Sequence, residues 1–263
     1  MRTTVLEPVG AQITDLEVNA LDSDQAKQLE RLLADHGVAV LRDQPLDDDE
    51  FDAFLRHFGD PVFTVGETPV DGHPDLNVIS NVGRTRPPRS RFHVDTSYVR
   101  HPPAYTALRA VQVPSQGGQT LFSNQYRAYE RLPEALRQRL EGRVMRHVVT
   151  GVDPGETQER EAEHPIFRPH PLTGRVALYL TLPDRCAGIS GLDAAEAAEL
   201  IGELHERSTQ SDNLYRHLWA PGDLVIWDNG CVMHRADHDG VVGDRVMHRG
   251  MAAGYATATA PTG

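Results

Sequence analysis

YRHLWAPGDLVIWDNGCVMHRADHDGVVGDRVMHRGMAAGY, residues Tyr215 to Tyr255, reads as a series of short strands joined by tight turns. Strand-like runs such as LVIW and RVMH are broken by PGD and by the polar loop HDGVVGD, where glycine, proline and aspartate permit chain reversal. Strands this short and this closely spaced imply an antiparallel barrel or sandwich. The same pattern extends upstream. YTALRAVQV (from Tyr105) and TLFSN (from Thr120) read as strands flanking PSQGGQ. IFRPHPLTGRVALYL reads as a hairpin around Leu172 to Gly174, and Asp75 to Asn81 as a further strand.

Helical periodicity marks what lies outside the sheets. Ser23 is placed to cap a helix carrying Ala26, Leu29, Leu32 and Leu33 on one face, Gly37 is placed to stop it, and a strand from Val38 to Leu41 should follow. A second helix is expected from Asp48 to Phe58, with Phe51, Phe54, Leu55 and Phe58 at helical spacing. Helical patterns return over Gln125 to Leu140 and over Ala194 to His205, the latter capped by Asp193. The fold class is mainly β with flanking helices (α+β). At 263 residues with no linker or repeat, a single domain over 1–263 is expected, with ATATAPTG as a frayed tail.

Composition excludes several functions. Hydrophobic residues at 39% and charged residues at 24% provide a sizeable core, and a net charge of -12 would repel a phosphate backbone, so no nucleic-acid partner is expected. Basic residues crowd together only at Arg84, Arg86, Arg89 and Arg91. No window approaches a membrane span, and MRTTVLEPVGAQITDLEV lacks the basic start and apolar centre of a secretory signal. A cytoplasmic protein is expected. Two cysteines, Cys186 and Cys231, fit reduced side chains better than a disulfide framework.

Chemistry concentrates in FHVDTSY. In an extended segment residues two apart project to one side, so His93 and Asp95 can offer an imidazole nitrogen and a carboxylate oxygen to one metal. A second histidine would complete a facial triad, which leaves three adjacent octahedral positions open and suits a redox-active iron. The pair alone is weak evidence. His238 and Asp239 have the same residue types, and a solvated loop explains them better.

The company these residues keep is specific. FHVDTSY, PSQGGQTLFSN, HPLTGRVALYL, PGDLVIWDNGCVMHRA and RVMHRG occur in the order and at nearly the spacing seen in the TauD/TfdA (taurine dioxygenase) family of Fe(II)/2-oxoglutarate-dependent oxygenases, which the chain resembles over most of its length. The resemblance implies a double-stranded β-helix (jelly-roll, cupin-like) core. It implies Fe(II), 2-oxoglutarate as cosubstrate and O2, with His93, Asp95 and His234 as metal ligands. Thr120 matches the threonine that hydrogen-bonds the cosubstrate. Arg249, fifteen residues after His234, matches the arginine of its far carboxylate, and Arg245 falls where some members place a second arginine near the other carboxylate. The reaction implied is hydroxylation of an unactivated carbon with release of succinate and CO2. Asp95 argues for oxygen transfer, because halogenating relatives lack the carboxylate.

Substrate is less legible. FTVGETPVDGH does not match the taurine enzymes' sulfonate-binding residues, so taurine is not expected. Arg89 and Arg91, nearest His93, would draw in a small anion bearing a carboxylate or phosphate, although ion pairs with surplus acids explain them equally. Tyr98 and Trp227 are placed to reach the pocket or simply to fill the core. Asp228 and Asn229 are expected only to shape the turn before His234. A homo-oligomer is open. Rival readings are a cupin-like metal-dependent hydrolase or isomerase, which would leave Thr120 and Arg249 without a task, and a non-catalytic binding protein on the same fold.

Overall fold

The strands Val38–Leu41 and Leu224–Asp228 are apolar almost throughout because both faces of the sheet they share are covered. Val38, Val40, Val225 and Trp227 enter one core cluster, while Ala39, Leu41, Leu224 and Ile226 enter another. That alternation is the two-residue period of a strand. A computed structural model describes residues 1–64, 66–84, 90–156 and 158–254.

The larger sheet has eight strands in the order Arg2–Val5, Ala11–Thr14, Val38–Leu41, Leu224–Asp228, Tyr105–Gln112, Val246–Ala252, His73–Ser80 and Pro69–Val70. Every pairing is antiparallel except Ala11–Thr14 with Val38–Leu41. A three-stranded sheet, Leu214–His217, Thr120–Asn124 and Val232–Ala236, faces it. Phe122 and Val232 from the smaller sheet share a cluster with Leu108, Trp227 and Met247 from the larger. This sandwich interior is the jelly-roll core. A second three-stranded sheet, Cys186–Ile189, Val144–Val148 and Glu161–Pro165, lies beyond, and Phe167–Pro169 pairs with Val176–Leu178 as the expected hairpin.

Helices close the outer faces. Ser23–His36 and Asp48–Arg56 lay Leu29, Leu33, Phe51, Phe54 and Leu55 on the larger sheet. Each such side chain is worth about 1.5–3 kcal/mol when fully buried. Ala194–Ser208 packs Leu200, Ile201 and Leu204 near Leu121 and Met233, the outward residues of the smaller sheet. Among the described residues no helix is long and apolar enough to cross a membrane.

Two local expectations are corrected. The first helix is capped by Asp22, not Ser23: its carboxylate accepts from Asp24 N at 2.9 Å and Gln25 N at 2.8 Å, and Gln25 Oε1 accepts from Asp22 N. Gln125 to Leu140 is two helices, Gln125–Glu130 and Glu134–Leu140, because Pro133 has no N–H with which to continue the first. LVIWDNGCVMH is two strands split at residues 229–231, in keeping with the turn expected at Asp228 and Asn229. Gly37, at φ 79°, ends the first helix as expected, and the C-terminal ATATAPTG lies outside the described residues.

Candidate metal and cosubstrate site

His234 stands at the centre of the Val232–Ala236 strand, on the same face as the core residue Val232. His93 joins that strand through a single bridge, with reciprocal backbone hydrogen bonds of 3.0 Å between the two histidines. The chain then turns, so Asp95 comes between them. Asp95 Oδ1 is 3.5 Å from His93 Nε2, and Oδ2 is 3.6 Å from His234 Nε2. One donor atom from each residue lies within 4.8 Å of the others. Donors about 2 Å from a shared ion stand roughly 3 Å apart when adjacent, so modest contraction would close the set on a metal.

Protonation suits the same purpose. His93 Nδ1 donates to the Arg91 carbonyl at 2.8 Å, which leaves Nε2 free to ligate. Burial pushes His234 down to about 3, so it is a neutral donor at physiological pH. Burial would raise Asp95, but His234, His93 and the guanidinium of Arg249 hold it well below the usual carboxylate range. Two neutral imidazoles and one carboxylate are the donor set that a non-haem Fe(II) takes, and the residues therefore fit that ion.

A relay that sequence reasoning missed orients the carboxylate. Thr106 Oγ1 donates to Asp95 Oδ2 at 2.8 Å, and Asn229 Nδ2 donates to Thr106 Oγ1 at 2.8 Å and to the Pro103 carbonyl. Asn229 is thus more than a turn residue. Asp228 does shape the turn, accepting from Gly230 N at 2.7 Å. Thr106 carried no signal in one dimension, since only strand pairing sets it opposite Trp227.

A cavity of about 380 Å³ opens from His93 and His234 and is lined by Thr120, Arg245, Arg249 and Trp227. The two arginines occupy different stations. Arg249 is beside the His-Asp-His cluster, with NH1 3.6 Å from Asp95 Oδ1 and NH2 3.2 Å from both Glu67 Oε1 and Asn77 Oδ1. Arg245 belongs with Thr120: Nε donates to the Gly118 carbonyl at 2.8 Å and NH2 reaches Thr120 Oγ1 at 3.4 Å. This placement runs against the expected division of labour, in which Arg249 took the far end.

Arg245 is 2% exposed, and among the described residues it has no acidic partner. Burial lowers it to about 10, which still leaves it charged. A buried, unpaired cation is costly unless an anion joins it. Trp219 Nε1 also donates to Thr120 Oγ1, at 3.1 Å. Both lone pairs of that hydroxyl are thereby engaged, so its hydrogen is left for an incoming carboxylate. Gly118 permits the packing, because a Cβ there, at φ +70°, would come within 2.9 Å of Arg245 Cδ.

The remaining candidates are scattered. Trp227 lines the cavity and is also fully buried core, its ring 4.5 Å from that of His234. Arg91 lines the mouth but pairs with Asp184. Tyr98 is buried and does not reach the cavity wall. Arg89 lies outside the described residues. Arg84 turns back to the Ser80 carbonyl at 3.0 Å. Arg185 and Thr150, which no sequence motif singled out, do line the cavity.

Known proteins resemble the chain over nearly its whole length. A relative from Cupriavidus pinatubonensis (strain JMP 134 / LMG 1197), the alpha-ketoglutarate-dependent 2,4-dichlorophenoxyacetate dioxygenase, is 33% identical over 269 residues, covering 91% of this chain and 92% of its own. The alpha-ketoglutarate-dependent sulfate ester dioxygenase of Pseudomonas putida is 29% identical, covering 94% of this chain and 87% of its own. The crystal structure of a taurine dioxygenase from Burkholderia xenovorans superposes with a TM-score of 0.84 at 30% identity, covering 97% of this chain and 91% of that one. The model of the taurine catabolism dioxygenase TauD, TfdA family matches residues 2–251, and the chain belongs to that family of alpha-ketoglutarate-dependent dioxygenases, whose cofactors are Fe(II), 2-oxoglutarate and O2.

Proposed function

We propose that the chain hydroxylates an unactivated carbon of a small, singly charged organic anion, with His93, Asp95 and His234 holding Fe(II) and 2-oxoglutarate consumed to succinate and CO2. The observation that carries this reading is one cavity in which the His-Asp-His cluster faces the buried pair of Arg245 and Thr120. When bound, the iron and 2-oxoglutarate together supply the oxidising power for C–H hydroxylation, chemistry that no side chain here could provide.

The chain's own residues bind and orient. Arg245 and Thr120 take the far carboxylate of 2-oxoglutarate, through a guanidinium and a hydroxyl already aimed by Gly118 and Trp219. Arg249, beside Asp95, serves the metal end, so the roles expected of the two arginines are exchanged. Thr106 and Asn229 hold the Asp95 carboxylate in place. Trp227, Leu108 and Ile79 give the cavity a dry wall that keeps water from the reacting carbon.

The named relatives act on an aryloxyacetate and on sulfate esters, both organic anions, which supports that substrate class. Among the described residues no Asp or Glu lines the cavity, which offers an ammonium-bearing zwitterion such as taurine no acidic partner there. Cys186 and Cys231 are free and buried in separate clusters, in keeping with a reducing, cytoplasmic setting.

Anaerobic addition of Fe(II) and 2-oxoglutarate should give the weak visible charge-transfer band of the chelated cosubstrate. His234→Ala should lose the band, and Arg245→Ala should demand far more 2-oxoglutarate to form it. Iron occupancy without a band would sink the proposal. An Arg245→Ala protein with unchanged 2-oxoglutarate affinity would return the far carboxylate to Arg249.

A further inference from the structure

Four arginines line the cavity, and three already have a counterpart. Arg249 lies against Asp95 and Glu67, Arg91 pairs with Asp184, and Arg245, whose bonds to Gly118 and Thr120 are also to neutral groups, is taken by the far carboxylate of 2-oxoglutarate in the function proposed above. Arg185 differs. It ends the short turn Pro183–Arg185, half-buried, and its Nε and NH2 donate to Thr150 Oγ1 at 3.1 Å and to the Thr150 carbonyl at 3.2 Å. Both partners are neutral. Among the described residues no acid comes within ion-pair distance of it. The two bonds fix the plane of the guanidinium and leave its remaining amine uncommitted, a cation held in place without a counter-ion.

Resting on the function proposed above, we propose that Arg185 anchors the negative charge of the primary substrate, a carboxylate or a sulfate ester, while its apolar body lies against Leu182, Ile79 and Trp227. A planar guanidinium can meet two oxygens of such a group at once. One unpaired cation balances one charge, so a phosphate dianion is matched poorly. The cavity thus divides into a metal face at His93 and His234, a cosubstrate end at Arg245, and a substrate wall at Arg185 with Thr150 behind it. The carbon to be oxidised is the one that this anchorage brings to the metal face.

The test is equilibrium binding, read by tryptophan fluorescence on anaerobic protein with Fe(II) and 2-oxoglutarate. Phenoxyacetate and hexyl sulfate serve as anionic probes, and neutral phenoxyacetamide as their control. The wild type should bind at least one anion tenfold or more tightly than the amide, the stronger anion indicating which oxyanion is preferred. Arg185→Met should reduce that preference to within twofold while leaving 2-oxoglutarate affinity unchanged. Should Arg185→Met fold poorly, Arg185→Gln keeps a donor for Thr150 and should lose the preference equally. Preference that survives in these variants, no preference in the wild type, or no binding of either anion would overturn the assignment. The charge-transfer band in the same sample separates the two proposals, since a band without anion preference fails only Arg185, and anion preference without a band fails only the oxygenase reading.

Discussion

Asp95 carries its charge in a nearly dry place, 5% exposed, and each of its oxygens is spoken for on the protein side. Oδ1 faces His93 and Arg249, and Oδ2 faces His234 and takes the Thr106 hydroxyl. Changing Thr106 to Val keeps the shape and removes one donor, so the fold should stand while the carboxylate gains freedom to rotate. Loss of such an outer partner typically costs roughly ten- to a hundredfold in metal affinity. Titration with Fe(II) or Co(II) reads this directly, and an unchanged affinity in Thr106→Val would remove the relay from the site. At this scale the sequence exposed the ligating types because His93, Asp95 and His234 sit in motifs, whereas Thr106, Asn77 and Arg185 reach the site through strand pairing and turn geometry that no spacing announces. Arg245 and Arg249 show the middle case. Both were visible, but only the folded chain shows that Gly118 leaves room for Arg245 beside Thr120 while Arg249 lies at Asp95.

Elements were legible where one face is buried. Ala26, Leu29, Leu32 and Leu33 mark the first helix because the larger sheet needs covering, and VAVL and LVIW declare central strands because both faces are packed. Boundaries were less so. A Ser beside an Asp offers two possible caps, and only the backbone geometry chooses Asp22, whose carboxylate reaches two free N–H groups. Pro133 divides what periodicity alone would join. Asp22→Ala removes a capping box on a helix remote from the cavity and should destabilise the protein by about 1 kcal/mol, within a range of roughly 0.5–2. For a chain of this size that lowers the melting temperature by about 2–4 °C per kcal/mol, with Fe(II) and 2-oxoglutarate binding unaltered. A melting point that does not move would deny the cap a stabilising role, and altered binding would show that the helix is coupled to the site.

At the scale of the molecule, the second three-stranded sheet buries polar groups outside the cavity lining, and His147 is the clearest. It sits in the Val144–Val148 strand, stacked on Tyr179 at 5.7 Å and edge-on to His164 at 5.1 Å, and neither ring nitrogen has a hydrogen-bond partner among the described residues. Burial, with His164 and Arg168 adding to it, lowers its affinity for a proton to a pKa of about 3, and His164 is lowered by burial as well. In the unfolded chain a histidine titrates near 6.5. Between those values the unfolded state binds a proton that the folded state refuses, so stability is present above about pH 6.5 and drains away as the pH falls. From pH 7 to pH 5 His147 alone accounts for about 2 kcal/mol, while carboxylates of ordinary affinity remain mostly ionised. The metal-free protein should therefore melt several degrees lower at pH 5 than at pH 7. His147→Phe keeps a ring against Tyr179 but has nothing to protonate, so its melting point should fall less over the same interval, by the share that His147 contributes. An equal fall in both proteins would place the acid sensitivity elsewhere among the buried histidines and leave His147 as packing alone.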